Sequence, residues 1–123
     1  MTASETGRRG EDAACRFLQA KGYDILERNF RTRFGEIDIV ARCPDCVVFV
    51  EVKTRRDSSF AEAAQAVGPS KQQRLRATAL LWLARHGEQP ARFDVIEVYT
   101  GARRRAGPDD ISPTEIRHIQ NAF

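Results

Sequence analysis

No stretch of the sequence approaches the roughly 20 consecutive apolar residues needed to cross a bilayer. The opening run MTASETGRRGEDAA also lacks the apolar centre of a secretory signal. These absences lead us to expect a cytoplasmic protein with no membrane partner. Cysteine is scarce. Cys15, Cys43 and Cys46 are too few for a disulfide framework, and a reducing compartment would keep them as thiols. With 123 residues there is no room for a second folded unit, and no internal repeat is visible. Hydrophobic residues at 41% and charged residues at 30% argue against a disordered chain. We therefore expect one domain over 1–123, with a core at about 7–100 and a C-terminal extension at 101–123.

What is present leans basic, and the lean is concentrated. Residues 53 to 76 carry Lys53, Arg55, Arg56, Lys71, Arg74 and Arg76 against Asp57 and Glu62, a net +4 that exceeds the +3 of the whole chain. Such a block suits phosphates electrostatically, although a solvated surface would read the same way.

Hydrophobic spacing predicts the elements. Thr6 to Lys21 reads as a helix with Ala13, Ala14, Phe17 and Leu18 on one face, stopped by Gly22. YDILERNF, GEIDIVAR and VVFVEVKTR read as strands, the last two joined by CPDC. Asp57 to Gly68 reads as a loop with at most one helical turn. A second helix follows Pro69, with Ser70 and Gln73 as a capping box, Leu75, Ala79, Trp82 and Leu83 buried, and Gly87 as its stop. RFDVIEVYT is the next strand, and ISPTEIRHIQNAF fits either a short strand or a short helix. The order α-β-β-β-α-β implies an α/β domain with a mixed sheet flanked by helices.

The strands around CPDC carry the chemistry. If the chain reverses at Pro44-Asp45, opposed residues have numbers summing to 89, so Asp38 faces Glu51 and Glu36 faces Lys53. Period-2 alternation places all four on one face. Opposed acids destabilise a sheet, and a divalent cation supplies a reason for them: hard oxygen ligands suit Mg²⁺ or Mn²⁺. The plain alternative is an exposed sheet face with cross-strand ion pairs, each contributing about 0–1 kcal/mol. A bulged three-residue turn would shift the register by one and break the shared face.

The spacing from Asp38 through twelve residues to Glu51-Val52-Lys53 resembles the D…E-x-K signature of the PD-(D/E)XK nuclease superfamily. The longer series GRRGEDAA, GYDILERNFR, GEIDIVAR, VVFVEVKTR and RFDVIEV, with the terminal NAF, resembles the YraN-type family of bacterial proteins over roughly residues 7 to 100. That family is similar in fold to archaeal Holliday-junction resolvases, which implies a restriction-endonuclease-like core. The resemblance implies Asp38 and Glu51 as metal ligands, and Lys53 as the residue orienting the attacking water and stabilising charge on the phosphate. It implies Glu11 as an additional acid beside the metal, with Glu36 next in line behind it. A carboxylate suiting the early turns of its helix is the plain account of Glu11. Arg8, Arg9, Arg55, Lys71 and Arg74 are the candidates for holding flanking phosphates. The expected partner is nucleic acid, DNA rather than RNA, and resolvases imply a homodimer.

Two rivals stand beside the metal-dependent, structure-selective nuclease. One is a nucleic-acid-binding protein that does not cut. The other is a scaffold whose carboxylates only form ion pairs. Cys43-Pro44-Asp45-Cys46 invites a zinc or redox role, but structural zinc takes four ligands and no second CxxC exists, so a hairpin-tip turn is expected. Trp82 reads as core rather than as a base-stacking platform. Arg103-Arg104-Arg105 reads as a solvated loop rather than an auxiliary phosphate contact.

Overall fold

The computed structural model describes residues 3–55, 67–100 and 115–123, without the side chains of Ala3, Ser4 and Thr6. The loop expected at 57–68 and the run Arg103–Arg105 therefore lie outside the described residues, apart from Val67 and Gly68. The elements are α1 (Ala3–Ala20), β1 (Asp24–Thr32), β2 (Gly35–Arg42), β3 (Val47–Arg55), α2 (Pro69–His86), β4 (Ala91–Tyr99) and β5 (Glu115–Ile119). Strands β1 to β5 lie in that order in one mixed sheet. All neighbouring pairs are antiparallel except β3 and β4, whose parallel pairing spans the segment that holds α2.

Local chemistry sets the ends of the elements. Gly22 takes φ +92°, and Tyr23 N–H and Gly22 N–H donate to the carbonyls of Leu18 and Gln19, both at 3.0 Å, closing α1 as a Schellman turn. Helix α2 stops at Gly87, with φ +98°. Its start differs from expectation. Gly68 is the N-cap and Pro69 opens the first turn, so Ser70 already lies inside the helix and makes no cap. Gln72, not Gln73, reaches back, donating from Nε2 to Val67 O at 2.8 Å. The imperfect alternation of β1 has a cause too: its register against β2 shifts between Ile25 and Glu27, leaving Leu26 exposed.

Strand β3 is buried on both faces over Val47 to Glu51, as its unbroken apolar run requires. Ala13, Ala14 and Leu18 of α1 cover one face with Ile39, Ala41, Val48, Val50, Ile96 and Val98. Leu75, Ala79 and Trp82 of α2 cover the other with Val40, Val47, Phe49 and Val95. Fully burying Phe49 alone contributes on the order of 1.5–3 kcal/mol. Trp82 is core, stacked on His86 and donating to Glu27 at 3.0 Å. Leu83 is only partly buried, and Thr78 takes a core position in its stead.

Residues 115–119 do not trail from the fold. They form β5 on β4, and Phe123 stacks on Phe93 with ring centroids 5.1 Å apart. Among the described residues no helix is long and apolar enough to cross a membrane.

Candidate active site

The CPDC tetrapeptide reverses the chain as expected, and β2 pairs with β3 in the register that sums to 89, from Arg42↔Val47 to Ile39↔Val50. There the recorded ladder ends. The N–H of Val52, next on β3 to face β2, donates instead to Asp38 Oδ2 at 2.8 Å. Asp38 thus holds a backbone donor that the parting strands would otherwise leave unpaired. The parting also corrects one expectation: Glu36 does not face Lys53. It bonds across β1, accepting from Arg31 Nε at 3.1 Å.

Asp38 and Glu51 still reach one place. They line a cleft of about 400 Å³ on the α2 side of the sheet, with Gly35, Glu36, Lys71 and Arg74. Glu51 is buried, and its Oε1 accepts from Lys71 Nζ at 2.8 Å while Lys53 Nζ lies 3.5 Å away. Burial raises Asp38, the Glu51 charge raises it further, and Glu11 and Glu36 add to both; against the Val52 hydrogen bond they lift it to about 7. Burial and the neighbouring Lys71 lower the Lys53 ammonium, whereas Lys71, opposed by burial, is raised by its bond to Glu51. The cleft is therefore a half-compensated charge cluster. It carries an acid pair that resists double ionisation, with two ammonium groups on one of its members.

Glu11 does not line the cleft. Its Oε1 is 3.9 Å from Arg28 and accepts from the Asn29 amide at 3.2 Å, the same amide donating to Glu36 at 2.9 Å. Burial pushes the Glu11 carboxyl up, with Arg28 and Asn29 opposing. Glu11 thus acts on Asp38 through its charge and on Glu36 through Asn29, whose φ of +53° carries the amide between them. Gly10 explains the approach of α1. A Cβ there would stand 1.9 Å from Thr54 Oγ1 on β3, so any larger residue would have to displace the Thr54 side chain for the GRRGE segment to keep this close packing.

The phosphate candidates separate. Arg74 and Lys71 line the cleft, Lys71 being engaged by Glu51. Arg55 is taken up by buried Glu97, its Nε donating at 3.1 Å. Arg8 and Arg9 are exposed on α1, which packs on the opposite face of the sheet. Asn29, Glu97 and the buried Asp94 were not anticipated. The acids of RFDVIEV interrupt an apolar strand just as Asp38 and Glu51 do, and that signal was legible.

The sequence profile described as Uncharacterised protein family UPF0102 matches residues 10–98. The chain belongs to this family. A UPF0102 protein of Pelobacter propionicus is 48% identical over 122 residues, covering 96% of this chain and 81% of that protein. One from Symbiobacterium thermophilum is 48% identical over 119 residues, covering 95% of this chain and 94% of that protein. One from Caldicellulosiruptor saccharolyticus is 39% identical with both chains covered in full. The YraN-type resemblance over roughly residues 7 to 100 and the UPF0102 match over 10–98 fall on the same part of the chain.

Proposed function

We propose that this UPF0102 protein is a divalent-metal-dependent nuclease of restriction-endonuclease-like architecture, acting on DNA with selectivity for structure. One observation carries the reading: Asp38 and Glu51 share a cleft in which burial and mutual repulsion lift Asp38 to about 7. Two acids placed so that both cannot ionise cheaply form an oxygen donor set that a hard divalent cation such as Mg²⁺ or Mn²⁺ would stabilise. Such a cation, when bound, would lower the pKa of a coordinated water and neutralise the scissile phosphate. Asp38 and Glu51 would hold it, with Glu36 in the cleft wall and Glu11 outside it adding negative field. Lys53, 3.5 Å from Glu51, would orient the water and stabilise the phosphate charge. Lys71, released from Glu51, would join Arg74 at the phosphate backbone.

A second reading rests on its own observation. Among the described residues no three His, Cys, Asp or Glu side chains converge as a metal cage, and Lys71 already bonds Glu51. A non-catalytic nucleic-acid-binding protein of the same fold would need no more than that. Cleavage of labelled single strands, duplex, flaps and four-way junctions with Mg²⁺ or Mn²⁺ decides between the two. Cutting that disappears in Glu51→Ala is expected. Salt-sensitive binding without cutting by either protein would favour the second reading, and absence of both would leave a scaffold whose carboxylates only form ion pairs.

A further inference from the structure

The hairpin tip that joins β2 to β3 holds a second cluster of reactive side chains, five residues along each strand from Asp38 and Glu51. Cys43 and Cys46 continue the strand register, and Cys43 N–H donates to Cys46 O at 3.0 Å. Opposed residues of a hydrogen-bonded antiparallel pair have Cα atoms about 5.5 Å apart, within the span a disulfide bridges. The sulfurs already lie 3.3 Å apart. Cys43 is buried against the α1-side core, while Cys46 is half-buried and Pro44 and Asp45 are exposed. Solvent therefore meets the pair at the turn and at Cys46, with 9% of the Cys43 surface exposed beside them.

A fixed cation faces both sulfurs. Arg92 Nη1 is 3.9 Å from Cys43 Sγ and 3.9 Å from Cys46 Sγ. The rest of that guanidinium is locked. Its Nε donates to Asp94 Oδ1 at 3.0 Å, and its Nη2 donates to Asp94 Oδ2 at 3.1 Å. Nη2 also donates to Tyr23 Oη at 2.6 Å. Asp94 is fully buried and is held in turn by His118 Nε2 at 2.6 Å and by Asn121 N–H at 3.1 Å. A buried carboxylate thus aims one arginine edge at the CxxC. Burial works against the Cys43 thiolate, but the Cys46 thiol, the backbone of Asp45 and Cys46, and Arg92 together lower the Cys43 thiol below its ordinary range. Burial and Cys43 itself push Cys46 up. The two sulfurs are thereby made unequal, as attacking and resolving thiols are.

We propose that Cys43 and Cys46 form a reversible dithiol–disulfide site, oxidised by small-molecule disulfides with Arg92 as the positioning residue. The Cys43 thiolate attacks one sulfur of an external disulfide R–S–S–R, forming Cys43–S–S–R and expelling RS⁻. The Cys46 thiolate then attacks Cys43 Sγ, closing the Cys43–Cys46 bond and expelling the second RS⁻. The two protons lost by the cysteines go to the two expelled thiolates. The dithiol is oxidised by two electrons and the external disulfide is reduced to two thiols. A metal role fits less well, because among the described residues no third His, Cys, Asp or Glu converges on the sulfurs and structural zinc takes four ligands. The site is independent of the nuclease reading.

The full chain, reduced and then equilibrated with excess oxidised glutathione, tests this. Intact mass and non-reducing peptide mapping are expected to show a protein two hydrogens lighter, with Cys43 linked to Cys46 and Cys15 free. Cys46→Ser is expected to stop at the mixed disulfide, carrying one glutathione on Cys43. In Arg92→Lys one ammonium can meet Asp94 or the sulfurs but not both, and capture of Cys43 is expected to slow severalfold while Cys15→Ala reacts as wild type. Three free thiols in the oxidised wild type, or a Cys46→Ser protein with no adduct on Cys43, would overturn the proposal. Unchanged kinetics in folded Arg92→Lys would overturn the role of the arginine.

Discussion

Asp38 makes two commitments that pull against each other. It accepts the Val52 N–H and so closes the gap where β2 leaves β3, yet burial and the Glu51 charge resist its ionisation up to about 7. Its folded-state value lies above the roughly 3.9 of an unfolded chain. The stability it contributes is therefore fully present below about pH 4 and is lost as pH rises through about 7. Asp38→Asn keeps an acceptor for Val52 N–H and sheds the charge. In chelator, thermal melts should show little difference below about pH 4, a gain of this variant on wild type that grows between about pH 4 and 7, and a constant advantage above that. A constant offset at all pH values would contradict that origin. If Lys53 stabilises charge developing on the phosphate, Lys53→Ala should lower the cleavage rate roughly 10²–10³-fold. The melting temperature should stay near wild type, because the ammonium is partly exposed and Glu51 keeps Lys71.

At the scale of elements, the contact of α1 with β3 is set by one glycine. Alanine at position 10 would add up to about 1 kcal/mol of helix propensity. It would also drive a methyl to 1.9 Å from Thr54 Oγ1 and 3.2 Å from Thr54 Cβ. Overpacking of this kind costs about 1–3 kcal/mol and should win. Urea unfolding of Gly10→Ala should show a loss that Gly10→Ala/Thr54→Ala largely restores; an additive double variant would count against the contact. Much at this scale was legible. The 89-sum register followed from a turn at Pro44-Asp45, and period-2 alternation put Asp38 and Glu51 in one cleft. What alternation does not reveal is where two strands part. Glu36 was expected opposite Lys53, but the pairing of β2 with β3 ends at Ile39 while its pairing with β1 runs on to Gly35, so Glu36 meets Arg31 and Asn29 instead. Lys71 lies twenty positions after Glu51, and no local pattern predicts that it bonds that carboxylate.

At the scale of the molecule, the sheet ends on a strand that sequence pattern left open between helix and strand. EIRHI is short and charged, so its periodicity is uninformative; in the fold it pairs with β4, and the buried Asp94 carboxylate accepts from His118 and Asn121 beside that pairing. Burial opposes the Asp94 charge, yet His118, Arg92 and the Asn121 N–H hold the carboxyl below its ordinary value. This contribution is present above the unfolded pKa of about 3.9 and is lost as pH falls through the lower folded value. His118→Ala leaves the buried carboxylate one partner short and should cost roughly 1–3 kcal/mol in denaturant unfolding at neutral pH. A loss within a few tenths of a kcal/mol of zero would show that β5 is not anchored through Asp94.

Asp38 and Glu51 act in the proposed chemistry only if together they form one site for a hard divalent cation. Binding of Mn²⁺, followed by loss of the free-ion electron paramagnetic resonance signal on titration with protein, tests that most directly. Wild type is predicted to take up one ion per chain, with affinity reduced at least about tenfold in both Asp38→Asn and Glu51→Gln. No uptake by wild type, or uptake untouched by either substitution, would contradict it.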